Sequence, residues 1–338
     1  DVPLGLAQDA HNPSIMIDTL GYGYGEHTLK VTAKDWQGNQ RTYDYAINFD
    51  NAELKVSSLN SGSTATLYTW NGTKGEQIGS CQLSTAGSCD INPLTAKQPL
   101  LVEISGGSYF EMATSQSVGM IGHKLTSLVN YTGQDVSIAV TPITHLITSY
   151  ARYLVDQGTE PAEAISEATN VISELYGFNP STLMPARVDE AARGALNESE
   201  KYGFLLAGMS AWTEEARIAN GAGNQSFYNS LLLAQRMGQD IESDGLLDGN
   251  EAMFGSTSLT PSVYRNGFAD GMLSFAQSDK NASGLPVNNL LAYMISTAES
   301  THALYAGTSV TPFDNEGPTI EPIEFEENDA FSAEVGLV

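Results

Sequence analysis

The feature that most constrains the fold is a change in the spacing of apolar residues at Thr141. Before it, apolar and polar residues alternate, as in residues 26–33, and such alternation is typical of β-strands. After it, Ile143, Leu146 and Ile147 begin a spacing of three and four residues, which is typical of an amphipathic helix. The chain is therefore predicted to be β-rich first and helical afterwards.

Four segments are predicted, because 338 residues exceed one typical domain. They are a β-module at residues 1–52, a small β-sandwich at 53–140, an all-α helical bundle at 141–308, and an acidic β tail at 309–338. Strands are predicted at residues 26–33, 42–49, 53–58, 65–70, 99–105 and 136–140. Helices are predicted at residues 141–157, 161–176, 198–219, 226–237, 262–278 and 287–304. A bundle of five or six helices is the simplest packing of the third segment.

Parts of the sequence resemble modules of bacterial surface proteins. The stretch GEHTLKVTAKDWQGN at residues 25–39 resembles the last hairpin of immunoglobulin-like modules, which commonly reads G-x-H-T-L-x-V-x-A-x-D-x-x-G-N. The stretches ATLY at 65–68 and LLVEISGGSY at 100–109 resemble small transthyretin-like or carboxypeptidase-regulatory-like sandwiches. DNEGPTI at 314–320 resembles the linker and first strand of a further immunoglobulin-like module. The helical segment resembles a partner of such modules in exported Gram-negative proteins.

The charge of the chain excludes two classes of partner. Lys and Arg number 15 against 40 Asp and Glu, which gives a formal net charge of −25. Nucleic acid and anionic lipid both need Lys and Arg to displace their counterions, so neither is expected to bind. No apolar run reaches the roughly 18 residues of a membrane span. The first residues lack signal-peptide features, and we expect the sequence to be a segment of a longer exported protein.

The two cysteines, Cys81 and Cys89, lie in a stretch rich in Gly and Ser. Seven residues separate them, a spacing that suits the tip of a hairpin at which two strands return close to each other. A disulfide is the favoured interpretation, ahead of two free thiols or a catalytic thiol. Because disulfides persist in oxidising compartments, this pair also favours an extracellular location.

The sharpest signal for a ligand is the acidic segment 240–251. It matches the pattern of an EF-hand loop, in which side chains and one backbone carbonyl surround calcium. The ligands would be Asp240, Glu242, Asp244, the carbonyl of Leu246, Asp248 and Glu251. Gly245 stands where such a loop turns sharply. Glu242 departs from the pattern, which prefers Asp or Asn there, and an ordinary acidic loop between helices is the alternative.

Catalytic motifs are not apparent. The five histidines are scattered, and the sequence contains no H-E-x-x-H, G-x-S-x-G or S-x-x-K. His145 lies among apolar residues at the start of a predicted helix. A buried or capping role is therefore favoured for it over a catalytic one.

These observations favour a non-catalytic segment of a bacterial surface protein, an adhesin-like binding or spacer module that calcium could stabilise. Its expected partners are a protein or glycan ligand at the cell surface and neighbouring immunoglobulin-like modules of the same chain. The expected location is the extracellular side of a Gram-negative bacterium. The alternative is an accessory or catalytic domain of a secreted peptidase or glycan hydrolase, which a deep pocket lined by carboxylates or histidines would favour.

Overall fold

The computed structural model describes residues 25–35, 37–49, 53–91, 98–192, 194–223, 228–250 and 252–305. In this part of the chain a β-rich region precedes a helical region, as the sequence predicts. The strands of the first region are β1 (Gly25–Lys34), β2 (Gln40–Phe49), β3 (Leu54–Ser57), β4 (Asn60–Ser61), β5 (Thr64–Trp70), β6 (Lys74–Gln82), β7 (Ser88–Ile91), β8 (Gln98–Ser105), β9 (Ser108–Glu111), β10 (Gln116–Gly119), β11 (Lys124–Tyr131) and β12 (Val136–Ala139). The helices are α1 (Pro142–Asp156), α2 (Pro161–Tyr176), α3 (Glu198–Ala219), α4 (Ser230–Asp244), α5 (Pro261–Gln277) and α6 (Val287–Ala298). A two-stranded hairpin, β13 (Met253–Phe254) and β14 (Thr257–Ser258), separates α4 from α5. The predicted acidic tail, 309–338, lies outside the described residues.

Strands β1 and β2 form the antiparallel hairpin that their alternation predicts. Leu29 lies opposite Tyr45 and Val31 opposite Tyr43, so these side chains share one face of the hairpin. Both tyrosines and Val31 are exposed on that face. The hairpin therefore presents an apolar and aromatic strip to solvent within the described structure.

Two sheets share the apolar core of the next segment. Strands β11, β8, β5 and β6 form a four-stranded antiparallel sheet, and β12, β3 and β7 form a three-stranded sheet in which β12 runs parallel to β3. Alternate residues of β8, namely Leu100, Val102 and Ile104, are fully buried in one cluster with Leu54 and Val56 of β3. The predicted strands correspond to β3, β5, β8 and β12, whereas the other strands of these sheets were not predicted.

A smaller sheet holds β10, β9 and β4 in that order, so that β10 is an edge strand. Strands β9 and β10 pair antiparallel, with Val118 opposite the buried Tyr109. Ser115 in the loop between them has a φ of 54°, in the left-handed region that most residues other than glycine avoid. The hairpin is thus anchored in the core by one face, and its outer strand has no further strand beside it among the described residues.

The ends of the first helices follow local signals in the sequence. At the start of α1 the Thr141 hydroxyl accepts from the backbone N–H of Thr144, and the Thr144 side chain accepts from the backbone N–H of Thr141. This reciprocal arrangement is a capping box. Helix α2 begins at Pro161 and ends before Gly177, whose φ is 75°, a conformation that glycine adopts without strain. The predicted bounds of α1, α2 and α3 are confirmed to within one residue.

Helix α4 differs from its prediction. It ends at Asp244 and not near residue 237, because its apolar stripe continues from Leu233 and Met237 to Ile241, all of them fully buried. Gly245, with a φ of 84°, ends the helix. Helix α6 is shorter than predicted, since it ends at Ala298 and gives way to a short 3-10 turn at Ala303–Tyr305.

Helices α1 and α2 pack on the second face of the four-stranded sheet. Leu101 and Leu128, which alternate with the residues of the first core, belong with Ile143 and Ile147 of α1 to a second buried cluster. Helix α1 contacts β11, and α2 contacts both β11 and β8. The β-rich and helical regions therefore share one core across the change of secondary structure at Thr141. Within the described ranges, no helix is long and apolar enough to cross a bilayer.

Candidate functional site

The structure divides the acidic segment 240–251 between a helix and a loop. Its first five residues belong to α4, and the loop begins at Gly245. Glu242 lies on the side of α4 that faces α1, where its carboxylate accepts hydrogen bonds from Arg152 and Ser149 at 2.8 and 2.9 Å. Glu251 lies outside the described residues.

The other carboxylates of the segment bind backbone groups of the loop. Asp244 Oδ1 accepts from the N–H of Leu246 at 3.0 Å, and Asp248 Oδ1 accepts from the N–H of Asn250 at 2.8 Å. Such bonds to the residue two positions later are typical of Asx turns. In the described part of the chain no group of three or more His, Cys, Asp or Glu side chains is arranged to hold a metal ion.

Asp240 is the most unusual member of the segment, because it is only 1% exposed. Its Oδ2 accepts hydrogen bonds from the Tyr264 hydroxyl at 2.9 Å and from the backbone N–H of Gly249 at 3.0 Å. Its Oδ1 is buried and has no hydrogen-bond partner among the described residues. Burial, to which the charges of Asp248 and Asp244 add, raises the pKa of Asp240 to about 6. Asp240 therefore joins the loop to α5, at the cost of a poorly solvated carboxylate.

The cysteines form a disulfide, as predicted, but the two strands that carry them belong to different sheets and do not form one hairpin. Cys81 lies in β6, at the edge of the four-stranded sheet, and Cys89 lies in β7, at the edge of the three-stranded sheet. Their Cα atoms are 6.0 Å apart. The disulfide thus ties together the two sheets that enclose the first core.

His145, for which a buried or capping role was predicted, is half-buried where α1 meets the sheet. Its Nδ1 forms a hydrogen bond of 2.8 Å with the hydroxyl of Thr126 on β11. Burial, to which the charge of Arg152 adds, lowers the pKa of His145 to about 4. The ring is therefore neutral at physiological pH and joins α1 to the sheet.

An open groove of about 1110 Å³ lies between β10 and the helices α3 and α4. We call it the β10 groove, because all four residues of that strand line it. Its other wall includes Glu214 and Arg217 near the end of α3, and Leu232 and Arg236 on α4. No pattern in the sequence predicted this site.

The edge of β10 that faces away from β9 has backbone groups without a hydrogen-bond partner among the described residues. The N–H of Met120 donates to the carbonyl of Gly107 at 3.1 Å. Because these two residues lie opposite each other in the register of β9 and β10, this bond shows which opposite pairs are hydrogen-bonded. Antiparallel pairs alternate between bonded and non-bonded positions. Val118 therefore pairs with β9, whereas Ser117 and Gly119 direct their N–H and C=O groups away from it. Both residues are exposed.

The charged side chains on the helix side of the groove carry a net positive charge. Arg217 forms a bidentate ion pair with Glu214, at 2.6 and 2.7 Å. Arg236 is exposed, and its guanidinium donates to Gln239 at 2.9 Å. With two arginines and one glutamate among the described residues that line it, the groove differs in sign from the chain, whose net charge is −25.

Glu111 is a second buried carboxylate, at the end of β9 next to the groove, and it is 2% exposed. Its two oxygens accept from the backbone N–H and the hydroxyl of Ser230 at 2.8 and 2.7 Å. Burial raises the pKa of Glu111, and the negative charge of Glu214 adds to the effect. Its position at the N-terminus of α4 favours the charged form, so Glu111 stabilises the start of that helix.

Comparisons with protein-family models, with curated proteins and with solved structures found no match for this chain. Function is therefore inferred from the geometry of the described residues. Of the sites above, only the β10 groove combines an accessible volume, free backbone groups and a distinctive charge.

Proposed function

We propose that this chain is a non-catalytic binding module of an exported bacterial surface protein, and that the β10 groove holds its ligand, an extended polypeptide strand. The observation that supports it most is the pair of outward-facing residues Ser117 and Gly119 at the edge of the groove. An unpaired edge offers hydrogen bonds to a strand from outside. Several families of peptide-binding domains bind their ligands by adding a strand in this way.

Export is supported by the disulfide and by the composition of the chain. A disulfide that ties two sheets together persists in an oxidising compartment, and a strongly acidic surface keeps a protein soluble. We place the protein at the surface of a Gram-negative bacterium. There the hairpin of β1 and β2 would end an immunoglobulin-like module, the two sheets would form a transthyretin-like sandwich and the helices a bundle. Further immunoglobulin-like modules would flank this region in the parent protein.

Calcium binding by the acidic segment stays a prediction. Its support is Asp240, whose buried Oδ1 would gain a partner if a cation bound beside it. A ligand that binds only the folded state raises the melting temperature. Melts in EDTA and in excess calcium, with wild type and with Asp244→Ala, test the prediction. A calcium-dependent rise that is absent in the variant supports the site, and equal melts in both buffers contradict it.

The strand-binding proposal is tested by selecting displayed peptides on the purified chain. We expect the selected sequences to bind wild type and the matched Ser117→Ala variant equally, because alanine keeps the backbone N–H. Ser117→Pro removes that N–H without touching the ladder to β9, and we expect it to lower affinity about tenfold or more. Selected peptides that bind the proline variant as tightly as wild type would contradict the proposal.

A catalytic role is the second candidate, and the proximity of Glu111 to Glu214 favours it. A glycan hydrolase uses one carboxyl group as its acid and another as its base, and the raised pKa of Glu111 suits the acid. The test is hydrolysis of polysaccharide and protein substrates by wild type and Glu111→Gln. Activity that is lost in the variant while its circular dichroism is unchanged would establish the catalytic role. Because Ser230 satisfies both oxygens of Glu111, we expect neither protein to release product.

A further inference from the structure

Helices cover the second face of the four-stranded sheet only in part in the described structure, since α1 and α2 contact β11 and β8. Glu103 of β8 alternates with the core residues Val102 and Ile104, so its side chain lies on this second face. Thr66 of β5 stands opposite Glu103 and also opposite Ser80 of β6, and both therefore share that face. Ser80 is exposed and Thr66 is half-buried, so this part of the sheet is polar and open to solvent.

Two lysines from the outer strands of the sheet meet at Glu103. The Lys74 ammonium on β6 lies 3.4 Å from Oε1 and 3.3 Å from Oε2, and the Lys124 ammonium on β11 lies 2.8 Å from Oε1. Both ammonium groups thus contact the same carboxylate oxygen. The Lys74 ammonium also lies 4.6 Å from the centre of the Tyr68 ring, and this cation–π contact helps to hold it in place.

We call Lys74, Lys124, Glu103, Thr66 and Ser80 the Glu103 patch. Among the described residues neither ammonium pairs with a carboxylate other than Glu103, so one positive charge is left without compensation. The lysine side chains are 38% and 52% exposed, and each ammonium has three donors that rotate freely. Donors therefore stay available for a ligand. Such a local excess of positive charge stands out in a chain whose net charge is −25.

We propose that the Glu103 patch binds a glycan through a single carboxylated sugar, whose carboxylate bridges the ammonium groups of Lys74 and Lys124. One anionic group matches the one excess charge and forms strong hydrogen bonds to both lysines. A polyanion would instead be repelled by the net charge of the chain. This site is separate from the β10 groove and does not rest on the strand-binding function.

The polar surroundings favour a sugar over the carboxylate of a peptide. The hydroxyls of Thr66 and Ser80 can each donate and accept a hydrogen bond, as the hydroxyls of a sugar ring require. All five side chains of the patch are polar, so the patch offers no apolar pocket of the kind that holds the side chains of a peptide.

The test is a titration of the isotope-labelled full chain with three probes, followed by the amide shifts in NMR spectra. D-galacturonate carries one carboxylate, D-galactose is the matched neutral sugar, and N-acetylglycine supplies a carboxylate without sugar hydroxyls, as a peptide C-terminus does. We expect saturable shifts at Lys74, Glu103 and Lys124 with galacturonate, and affinities about tenfold lower for the other two probes. Binding of galactose or N-acetylglycine as tight as that of galacturonate would overturn the proposal.

Variants locate the site. Lys74→Gln and Lys124→Gln should each weaken galacturonate binding about tenfold, and the shifts of distant amides show whether the fold is kept. Lys55→Gln on β3 and Arg236→Gln in the β10 groove each remove an exposed cation elsewhere and should bind like wild type. Wild-type affinity in both patch variants, or a loss of binding in Arg236→Gln, would overturn the assignment.

Replacing Glu103 separates ligand binding from a structural role of the lysines. In Glu103→Gln the amide keeps the shape of the side chain but no longer neutralises an ammonium. Affinity for galacturonate should therefore rise about threefold or more, and it should fall as salt is added. If the two lysines served only to compensate Glu103, this substitution would not tighten binding, so unchanged or weaker binding would overturn the proposal.

Discussion

Replacing Asp240 by Asn tests how the acidic segment contributes to folding. The carboxylate is 1% exposed, accepts hydrogen bonds from Tyr264 and Gly249 through Oδ2, and leaves Oδ1 without a partner among the described residues. An amide can accept the same two bonds and carries no charge. The substitution therefore removes the cost of burying the charge and keeps the contacts.

The magnitude follows from the pKa of this group. Burial raises the pKa of Asp240 from 3.8 to about 6, a difference of roughly two units or about 3 kcal/mol. Because the folded pKa is the higher one, the folded state binds the proton more tightly than the unfolded chain. The resulting contribution to stability is fully present below about pH 4 and is lost as the pH rises through about 6. At about pH 8 the wild type bears the whole cost, and the Asp240→Asn variant bears none.

We expect Asp240→Asn to raise the free energy of unfolding by about 1–3 kcal/mol at pH ~8, with the difference shrinking towards zero at pH ~4. The lower bound allows for an amide N–H that lacks an acceptor. Urea unfolding in EDTA at both pH values measures this difference in the free energy of unfolding. His145 titrates alike in both proteins, so its contribution cancels in the difference between them. The exposed Asp279→Asn serves as control and should change little. A variant that is less stable than wild type at the higher pH would refute the reasoning.

Three further changes probe the fold. Replacing Cys81 and Cys89 together by Ser should lower the free energy of unfolding in urea by about 2–3 kcal/mol, because the closed loop is short; an unchanged midpoint would contradict this. Gly107→Ala should cost about 1–3 kcal/mol, since its φ is 63° and a Cβ would meet a backbone carbonyl of β4; a wild-type melting temperature would count against it. Glu242→Gln should cost less than about 1 kcal/mol, because its ion pair with Arg152 is partly exposed; a larger loss in urea unfolding would show a stronger bond.

Sequence patterns predicted the elements whose signals are local. Thr141 and Thr144 cap α1 within one turn, and Pro161 and Gly177 bracket α2. The alternation of residues 26–33 with the turn at Gly38 predicted the first hairpin. In each case the residues that determine the element lie within it or next to it, so tertiary packing was not needed to find it.

The acidic segment shows how a local pattern can misplace a boundary. Residues 240–251 match the residue types of a calcium loop, and Gly245 does turn the chain. The match takes no account of Ile241, which continues the buried stripe of α4 and keeps Asp240 and Glu242 helical. Burial on one face of α4 therefore decided where the helix ends.

The β10 groove could not have been predicted, because it depends on distant contacts. Strand β10 has only four residues, and its role as an edge strand follows from the order of β10, β9 and β4 in their sheet. The opposite wall comes from α3 and α4, about a hundred residues later in the chain. Only the loop glycines Gly106 and Gly107 gave a signal for the β8–β9 turn that precedes it.

The most direct test of strand binding is a comparison of amide exchange at neighbouring positions of β10 with and without a selected peptide. Pairing at the edge predicts that Ser117 and Gly119 become protected while Val118, already bonded to β9, stays unchanged. Protection of all three residues alike, or of none of them while the peptide is bound, would contradict the proposal that the β10 groove takes up a strand.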